Sequence, residues 1–330
     1  MDSSSSICSI SWWRSKVSLK IVYLILLGQL VSFVLALCSF LSSLLAHLGV
    51  NAPITQSSFN YFALALVYGS ILLYRGQKLR IAWYWYLLLG FVDVQGNYLV
   101  NKAYQFSSLT SVTLLDCWAV VWAIGLTWFF LGTRYSTWQL FGSALCVLGL
   151  GLVLLSDAGI SSSGGSRPLL GDTLVILGTI FFACSNVGVE FCVKKKDRVE
   201  VVSMVGLYGL LVSVVQISIL EVKSLESVTW STDIVLALVG YMVSQFLFYT
   251  FSVFVLKLSG ATMFNLSILT VDMWAVVFRI LFYHQEVDWL YFVAFAVVAV
   301  GLIIYSTTEK DPIENGEYQV LNGENSAITN

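Results

Sequence analysis

Long apolar runs alternate with short polar segments along the whole chain, and the polar segments carry nearly all of its charge. Runs of about 20 apolar residues match the length an α-helix needs to cross roughly 30 Å of hydrocarbon. The pattern predicts ten such helices: Ile21 to Leu45, Ser57 to Tyr74, Ile81 to Val100, Leu109 to Leu131, Trp138 to Ser156, Thr173 to Val193, Val201 to Leu220, Ile234 to Leu256, Thr262 to Tyr283 and Trp289 to Thr307. The three prolines fall outside these spans, so no helix is forced to break. Trp83, Trp85, Trp138, Trp230 and Trp289 stand near span ends, where an amphipathic ring suits the headgroup zone.

Self-similarity changes how these spans are read. Asp116-Cys117-Trp118-Ala119-Val120-Val121 returns as Asp272-Met273-Trp274-Ala275-Val276-Val277, with five of six positions identical. Ile25-Leu26-Leu27-Gly28 pairs with Val175-Ile176-Leu177-Gly178, Gly90 and Gln95 with Gly240 and Gln245, and Gly151-Leu152 with Gly301-Leu302, all in the same order. Each half holds five spans, and an odd number makes the second half enter the membrane upside down relative to the first. The expected fold is therefore an all-α membrane protein of ten transmembrane helices, arranged as two inverted five-helix repeats. The expected divisions are a cytosolic N-terminal tail over 1–20, a first repeat over 21–156, a linker over 157–172, a second repeat over 173–308 and a disordered acidic cytosolic tail over 309–330. Two similar bundles related by an axis in the membrane plane can exchange shapes, opening a central site to one side and then the other.

Composition makes lipid the required covering: 58% of residues are hydrophobic, 11% are charged and mean hydropathy is +0.84, outside the range of a soluble domain. With a cytosolic N terminus, Arg14, Lys16, Lys20, Arg75, Lys78, Arg80, Arg134, Lys194, Lys195, Lys196, Arg198, Lys257 and Lys310 all fall on the inner side, against Lys102, Arg167 and Lys223 outside. Basic residues favour the cytosolic side of short loops, so both termini are expected in the cytosol. The first apolar run is too long for a cleaved signal and reads as a signal anchor. The expected location is an endomembrane, Golgi or vesicular, or the plasma membrane. Five of the six cysteines (Cys38, Cys117, Cys146, Cys184, Cys192) lie inside spans and read as small packing residues, not as disulfides or metal ligands. The sequon Asn265-Leu266-Ser267 lies inside a span and is expected to be silent.

An ionised side chain at helix centre costs about 2.5 to 3.5 kcal/mol, which singles out Asp93, Asp116, Glu190, Asp272 and Arg279 within the spans. Asp93, Asn97 and Asn101 share one helix stripe, Asn186 and Glu190 a second, and Asn265, Asp272 and Arg279 a third. Each stripe is expected to face the bundle interior, either lining a solute site or tying helices together, for instance through an Asp272–Arg279 pair. The repeated Asp116 and Asp272 lead the candidates, as hydrogen-bond partners of a solute or carriers of a coupling proton. Asp93, Asn97, Asn186, Glu190 and Asn265 support them. Lys102 either attracts an anionic solute or snorkels to the interface. Trp118 and Trp274 either stack on a solute ring or pack. The cytosolic run Lys194-Lys195-Lys196-Asp197-Arg198 reads as a topology determinant. With no P-loop, zinc motif or nucleophile–base constellation, the chain is not expected to be an enzyme or to hold a cofactor. A non-transporting receptor or scaffold is the rival class.

Leu89-Gly90-Phe91-Val92-Asp93-Val94-Gln95-Gly96-Asn97-Tyr98, Ala103-Tyr104-Gln105-Phe106 and Leu109-Thr110-Ser111-Val112-Thr113-Leu114-Leu115-Asp116-Cys117 closely resemble solute carrier family 35, subfamily F, of the drug/metabolite transporter superfamily. Asn51-Ala52-Pro53 with Gln56, Asn60 and Tyr61, Gly171-Asp172 with Ser185-Asn186-Val187 and Glu190, and Asn265-Leu266 leading to Leu269-Thr270-Val271-Asp272 extend the likeness over most of 20–308. The resemblance implies ten helices in two inverted repeats, alternating access, and organic solutes such as nucleotide sugars, nucleosides or related metabolites. Gln95, Val189, Lys102 and Arg279 depart from the family pattern near the expected cavity. The expected partners are thus a small-molecule solute and the lipid bilayer, with a homodimer as a further option and no nucleic acid.

The tail carries Tyr318-Gln319-Val320-Leu321, a tyrosine and bulky apolar residue in the spacing of an adaptor-binding sorting signal. Tyr318→Ala is expected to shift the steady-state location of a fluorescently tagged chain in cells; an unchanged distribution removes the signal.

Overall fold

The computed structural model describes residues 3–50, 52–76, 82–103, 106, 115–116, 118–158, 168–195, 197–226, 228, 230–271, 273–274, 277 and 289–308. Asp272, Arg279, Tyr318 and Leu321 lie outside the described residues. The described chain is helical, with no strand: α1 Ser3–His47, α2 Pro53–Arg75, α3 Trp83–Ala103, α4 Trp118–Leu126 running into a π turn at Thr127–Leu131, α5 Thr137–Ala158, α6 Pro168–Lys195, α7 Arg198–Leu220, a short α8 Val222–Glu226, α9 Thr232–Leu258, α10 Ala261–Ile268 and α11 Trp289–Thr308.

Local chemistry sets several ends. Pro53 and Pro168 open α2 and α6, where a missing N–H costs nothing. Ser231 caps α9 by accepting from the Ile234 N–H. Gly76 ends α2 in the left-handed region at φ 58, which only glycine enters freely. Five stretches are long and apolar enough to cross a membrane: Val22–Ser42, Pro53–Arg75, Leu169–Lys195, Arg198–Leu220 and Thr232–Leu258. Trp118–Leu131, Thr137–Gly149 and Phe292–Thr308 are shorter apolar helices. Large apolar side chains such as Leu73, Phe129, Trp138 and Phe292 face outward, as lipid requires and water would penalise. Trp83, Trp85, Trp230 and Trp289 are exposed as well.

The main helix pairs are α5 with α11, α2 with α7, α3 with α6 and α7, α1 with α9 and α10, α2 with α9, and α4 with α6 and α10. Lipid supplies no hydrophobic drive between helices, so small residues that let backbones approach do much of the work. At the α5–α11 crossing, a Cβ on Gly142 would stand 2.8 Å from the Gly301 carbonyl oxygen, and one on Gly301 2.7 Å from the Gly142 carbonyl oxygen. Cys146 is buried in the same crossing beside Ala294 and Val298.

Two features differ from the pattern-based expectation. The helix containing the first span begins at Ser3 instead of Ile21, because the residues before the apolar run continue its backbone without a breaker. The span expected over Thr262 to Tyr283 is interrupted at Leu269–Thr270 although it holds no proline. There the Thr270 backbone N–H and its hydroxyl both donate to the Ser267 carbonyl, at 3.0 Å and 2.7 Å, giving the backbone a local alternative to the helical ladder.

Gly301→Val should force α5 and α11 apart and cost about 1–3 kcal/mol, within the range of core overpacking. Thermal unfolding of the purified protein in detergent checks it, with Gly151→Ala, where nothing stands within 4 Å of the new Cβ, as the tolerated control.

Candidate functional site

Asp93 sits at the crossing of four helices and is 7% exposed. Its Oδ2 accepts from the Tyr61 hydroxyl of α2 and the Tyr249 hydroxyl of α9, both at 2.5 Å, and its Oδ1 accepts from the Ser185 hydroxyl of α6 at 2.8 Å. One turn on, Asn97 donates to the Asp93 carbonyl at 3.0 Å and to the Tyr61 hydroxyl at 3.4 Å. A buried carboxylate must have its lone pairs met, and three hydroxyls from three different helices meet them here.

This cluster borders a cavity of about 150 Å³. Asp93, Asn97, Asp116, Asn186 and Asn265 all line it, so five sequence-derived candidates from four helical segments converge on one space. Asn186 of α6 donates to the Asn265 Oδ1 of α10 at 3.2 Å, and Asn265 donates back to the Ala261 carbonyl at 2.7 Å. The helix interruption at Leu269 and Thr270 abuts the same space, with Ile268 and Leu269 in its wall. Asn265 is 4% exposed, which also puts the sequon out of reach.

The remaining candidates are placed elsewhere. Glu190 is 2% exposed but does not line the cavity; its Oε2 accepts the Ala261 N–H at 2.6 Å and its Oε1 pairs with Lys194 at 2.5 Å. That carboxylate closes the N-terminus of α10, where orphan N–H groups and the helix dipole favour a negative charge. Gly260, at φ +91, makes the approach possible, since a Cβ there would stand 2.6 Å from Glu190 Oε1. Lys102 ends α3 with its ammonium 5.8 Å from the Tyr98 ring. Trp118 is exposed beside Trp122, and the Trp274 indole donates to Gln29 Oε1 at 3.3 Å and meets Phe33 edge-on, so neither indole lines the cavity.

Tyr61 and Ser185 entered only as residues of the resemblance and Tyr249 not at all, so none of these hydroxyl partners was assigned to the site, because uncharged residues in an apolar run carry no insertion cost that singles them out. It also missed Glu221, a buried acid just past a span end whose two oxygens accept the Ile54 and Thr55 N–H groups at 2.7 and 2.8 Å, capping α2. At the opposite end of α2, Arg75 pairs with Asp197 of the basic run at 2.9 Å, and Tyr86 donates to Glu200 at 2.9 Å. Lys195 lies over the Phe191 ring one turn back on its own helix, and Arg198 lies over the Phe254 ring of α9, so the run read as a topology determinant also ties α7 to α2 and α9.

The described chain is a helical bundle with apolar outer faces and an internal cavity whose largely apolar wall carries Asp93, Asn97, Asp116, Asn186 and Asn265. The sequence profile of solute carrier family 35 (SLC35F) matches residues 17–307. Solute carrier family 35 member F2 of Mus musculus is 38% identical over 93% of this chain and 84% of its own length, and that of Xenopus tropicalis 33% identical over 89% and 79%. An uncharacterized solute carrier family 35 member of Schizosaccharomyces pombe is 33% identical over 84% of this chain and 56% of its own. A solved crystal structure matches with a TM-score of 0.70 at 15% identity, over 88% of this chain and 97% of that one, a likeness of fold alone. The chain belongs to solute carrier family 35 and is a multi-pass membrane protein of a transporter family.

Tyr61→Phe removes one donor to the Asp93 carboxylate and should cost about 1–2 kcal/mol, between the usual membrane hydrogen bond and one to a charged group. Thermal unfolding checks it; Tyr74→Phe, 94% exposed at the end of α2, should leave stability unchanged.

Proposed function

We propose that the chain is a secondary transporter that carries a small organic solute by alternating access, its ten helices forming two inverted five-helix repeats. The observation that carries this reading is the convergence of Asp93, Asn97, Asp116, Asn186 and Asn265 on one internal cavity, with contributions from both halves. Polar side chains gathered around an open space inside the bundle favour a solute-binding role over that of a scaffold.

Helix pairing supports the repeat. Exchanging α1, α2, α3, α4 and α5 with α6, α7, α9, α10 and α11 turns the α3–α6 pair into α9–α1, α3–α7 into α9–α2 and α4–α6 into α10–α1, all of which are pairs in contact. The α2–α7, α5–α11 and α4–α10 pairs map onto themselves. An axis relating the halves would pass through these three, which is where a rocking motion between repeats has its pivots. The ties at the two ends of the α2–α7 contact, Arg75–Asp197 at one and Glu221 with Ile54 and Thr55 at the other, are placed to open in alternation. With both termini cytosolic, the first faces the cytosol. Asp116, Asp272, Lys102, Trp118 and Trp274 stay in the reading as residues near the solute's path, with nucleosides, nucleotide sugars and related metabolites as the starting panel. An adaptor at Tyr318 and Leu321 and a homodimer are further elements.

Uptake of radiolabelled solutes from this panel into proteoliposomes tests the proposal. Asn97→Ala and Asn186→Ala should each lower uptake of a transported solute about tenfold, the loss of one or two hydrogen bonds in a dry site. Wild-type protein that moves no member of the panel, or variants that move it normally, would count against the site.

A further inference from the structure

Enclosed polar atoms collect at one end of the junction between α2, α7 and α9. They are Gln56 Nε2 and Asn60 Oδ1 of α2, Ser213 Oγ and Gln216 Oε1 of α7, and Gln245 Oε1 of α9, and none has a hydrogen-bond partner among the described residues. Gln56, Asn60, Ser213 and Gln245 are each more than nine-tenths buried. Packing puts them together. The Ile54 N–H reaches Glu221 just past the end of α7, and a Cβ on Gly209 would stand 2.7 Å from the Tyr61 ring, so residues 54–61 of α2 run against 209–221 of α7. α9 starts from that same end, joined to α7 through α8, and its Tyr249 ring lies 5.9 Å from that of Tyr61. Gln245 stands one turn before Tyr249, so all of these atoms fall between the Glu221 tie and the Asp93 cluster.

Buried polar atoms in native proteins are nearly always met, and a group of unmet ones in one place points to an occupant. The senses of the atoms select it. Gln56 Nε2 donates, the amide oxygens of Asn60, Gln216 and Gln245 accept, and the Ser213 hydroxyl does either. An ion of one sign answers one sense only; water answers both, and a buried water makes about three such bonds. The neighbouring contacts are built differently. Beyond the Asp93 cluster, α2 and α7 meet through Leu64, Leu72, Val201, Val202 and Val205. On its other face α9 meets α1 through Ile234, Ala237, Val34 and Cys38. Parting those apolar surfaces into water is opposed by the hydrophobic effect, whereas wetting the α2–α7–α9 seam meets groups that the closed bundle leaves unmet.

Resting on the transport reading and on its orientation, which puts Glu221 on the outer side, we infer that this seam is the outer arm of the solute path. Gln56, Asn60, Ser213 and Gln216 line it, water occupies it, and Glu221 with the α2 N-terminus closes it. A solute crossing the outer half of the membrane then moves between α2, α7 and α9, and not along α1.

Substituted cysteines test the route. The full-length protein, with its native cysteines replaced, is sealed in oriented proteoliposomes and treated from one face with the impermeant reagent trimethylammonium-ethyl methanethiosulfonate. From the outer face, Ser213→Cys and Asn60→Cys, on facing helices so that either reports if the other fails to fold, should each react about tenfold faster than Ala237→Cys, since thiol reactivity follows access to water. Modified Ser213→Cys should lose uptake of a transported member of the solute panel. Neither reporter labelled from either face, while the denatured protein labels fully, overturns the inference and leaves the transport reading intact. Ala237→Cys labelled as fast as the reporters overturns the route, and labelled reporters with unchanged uptake remove the solute from it. Reporters labelled from the cytosolic face alone overturn the orientation. Labelling as expected in a protein whose unmodified form moves no solute overturns the transport reading instead.

Discussion

A carboxylate placed inside an apolar bundle has to be met by donors from the protein itself, and the Asp93 cluster shows how this chain does so. The helices cannot pack independently around it: α2, α6 and α9 each bring one hydroxyl, and α3 brings the acid. Inserting such a charge at helix centre costs about 2.5 to 3.5 kcal/mol before any partner is found. Three hydroxyl donors from three helices offset that cost and fix the Asp93 carboxyl group beside the internal space. The convergence of these helices on the cavity follows from this one arrangement.

The other buried acids obey the same rule with different partners. Glu190 and Glu221 each receive backbone N–H groups at a helix start, one at α10 and one at α2, where the helix dipole adds to the hydrogen bonds. Glu200 accepts from Tyr86. These groups act at helix ends, away from the cavity lining, and hold α2, α3, α6, α7 and α10 to their neighbours. Acids that cap helix ends thus differ in placement from Asp93 and Asp116, which border the cavity.

Much of this was legible in the sequence. Apolar run length located the five stretches long enough to cross a membrane, Val22–Ser42, Pro53–Arg75, Leu169–Lys195, Arg198–Leu220 and Thr232–Leu258, since lipid sets a minimum length for a span. The cost of charge in hydrocarbon picked out Asp93 and Asp116, and helical spacing from Asp93 led to Asn97. The amides Asn186 and Asn265 were found on the same argument, and the structure joins them by a hydrogen bond. Glu190 shows the limit of that reasoning: its stripe position suggested the interior, but which interior partner an acid takes depends on the start of a helix seventy residues away, at Gly260 and Ala261. Tyr61, Ser185 and Tyr249 were not singled out for the site because hydroxyls are common in apolar helices, and only tertiary placement turns them into partners of Asp93. The interruption at Thr270 went unseen for a related reason, a Ser267–Thr270 contact that no proline announces.

Access to the cavity from both sides of the membrane is the claim on which the account stands. Ser252 lines the cavity at 5% exposure, its hydroxyl spent only on the Phe248 carbonyl of its own helix, so a cysteine there disturbs little. In a background with the native cysteines replaced, Ser252→Cys should react with a membrane-impermeant thiol reagent applied from either face of sealed, oriented vesicles. Labelling from one face alone, or from neither while the denatured protein labels fully, contradicts the account.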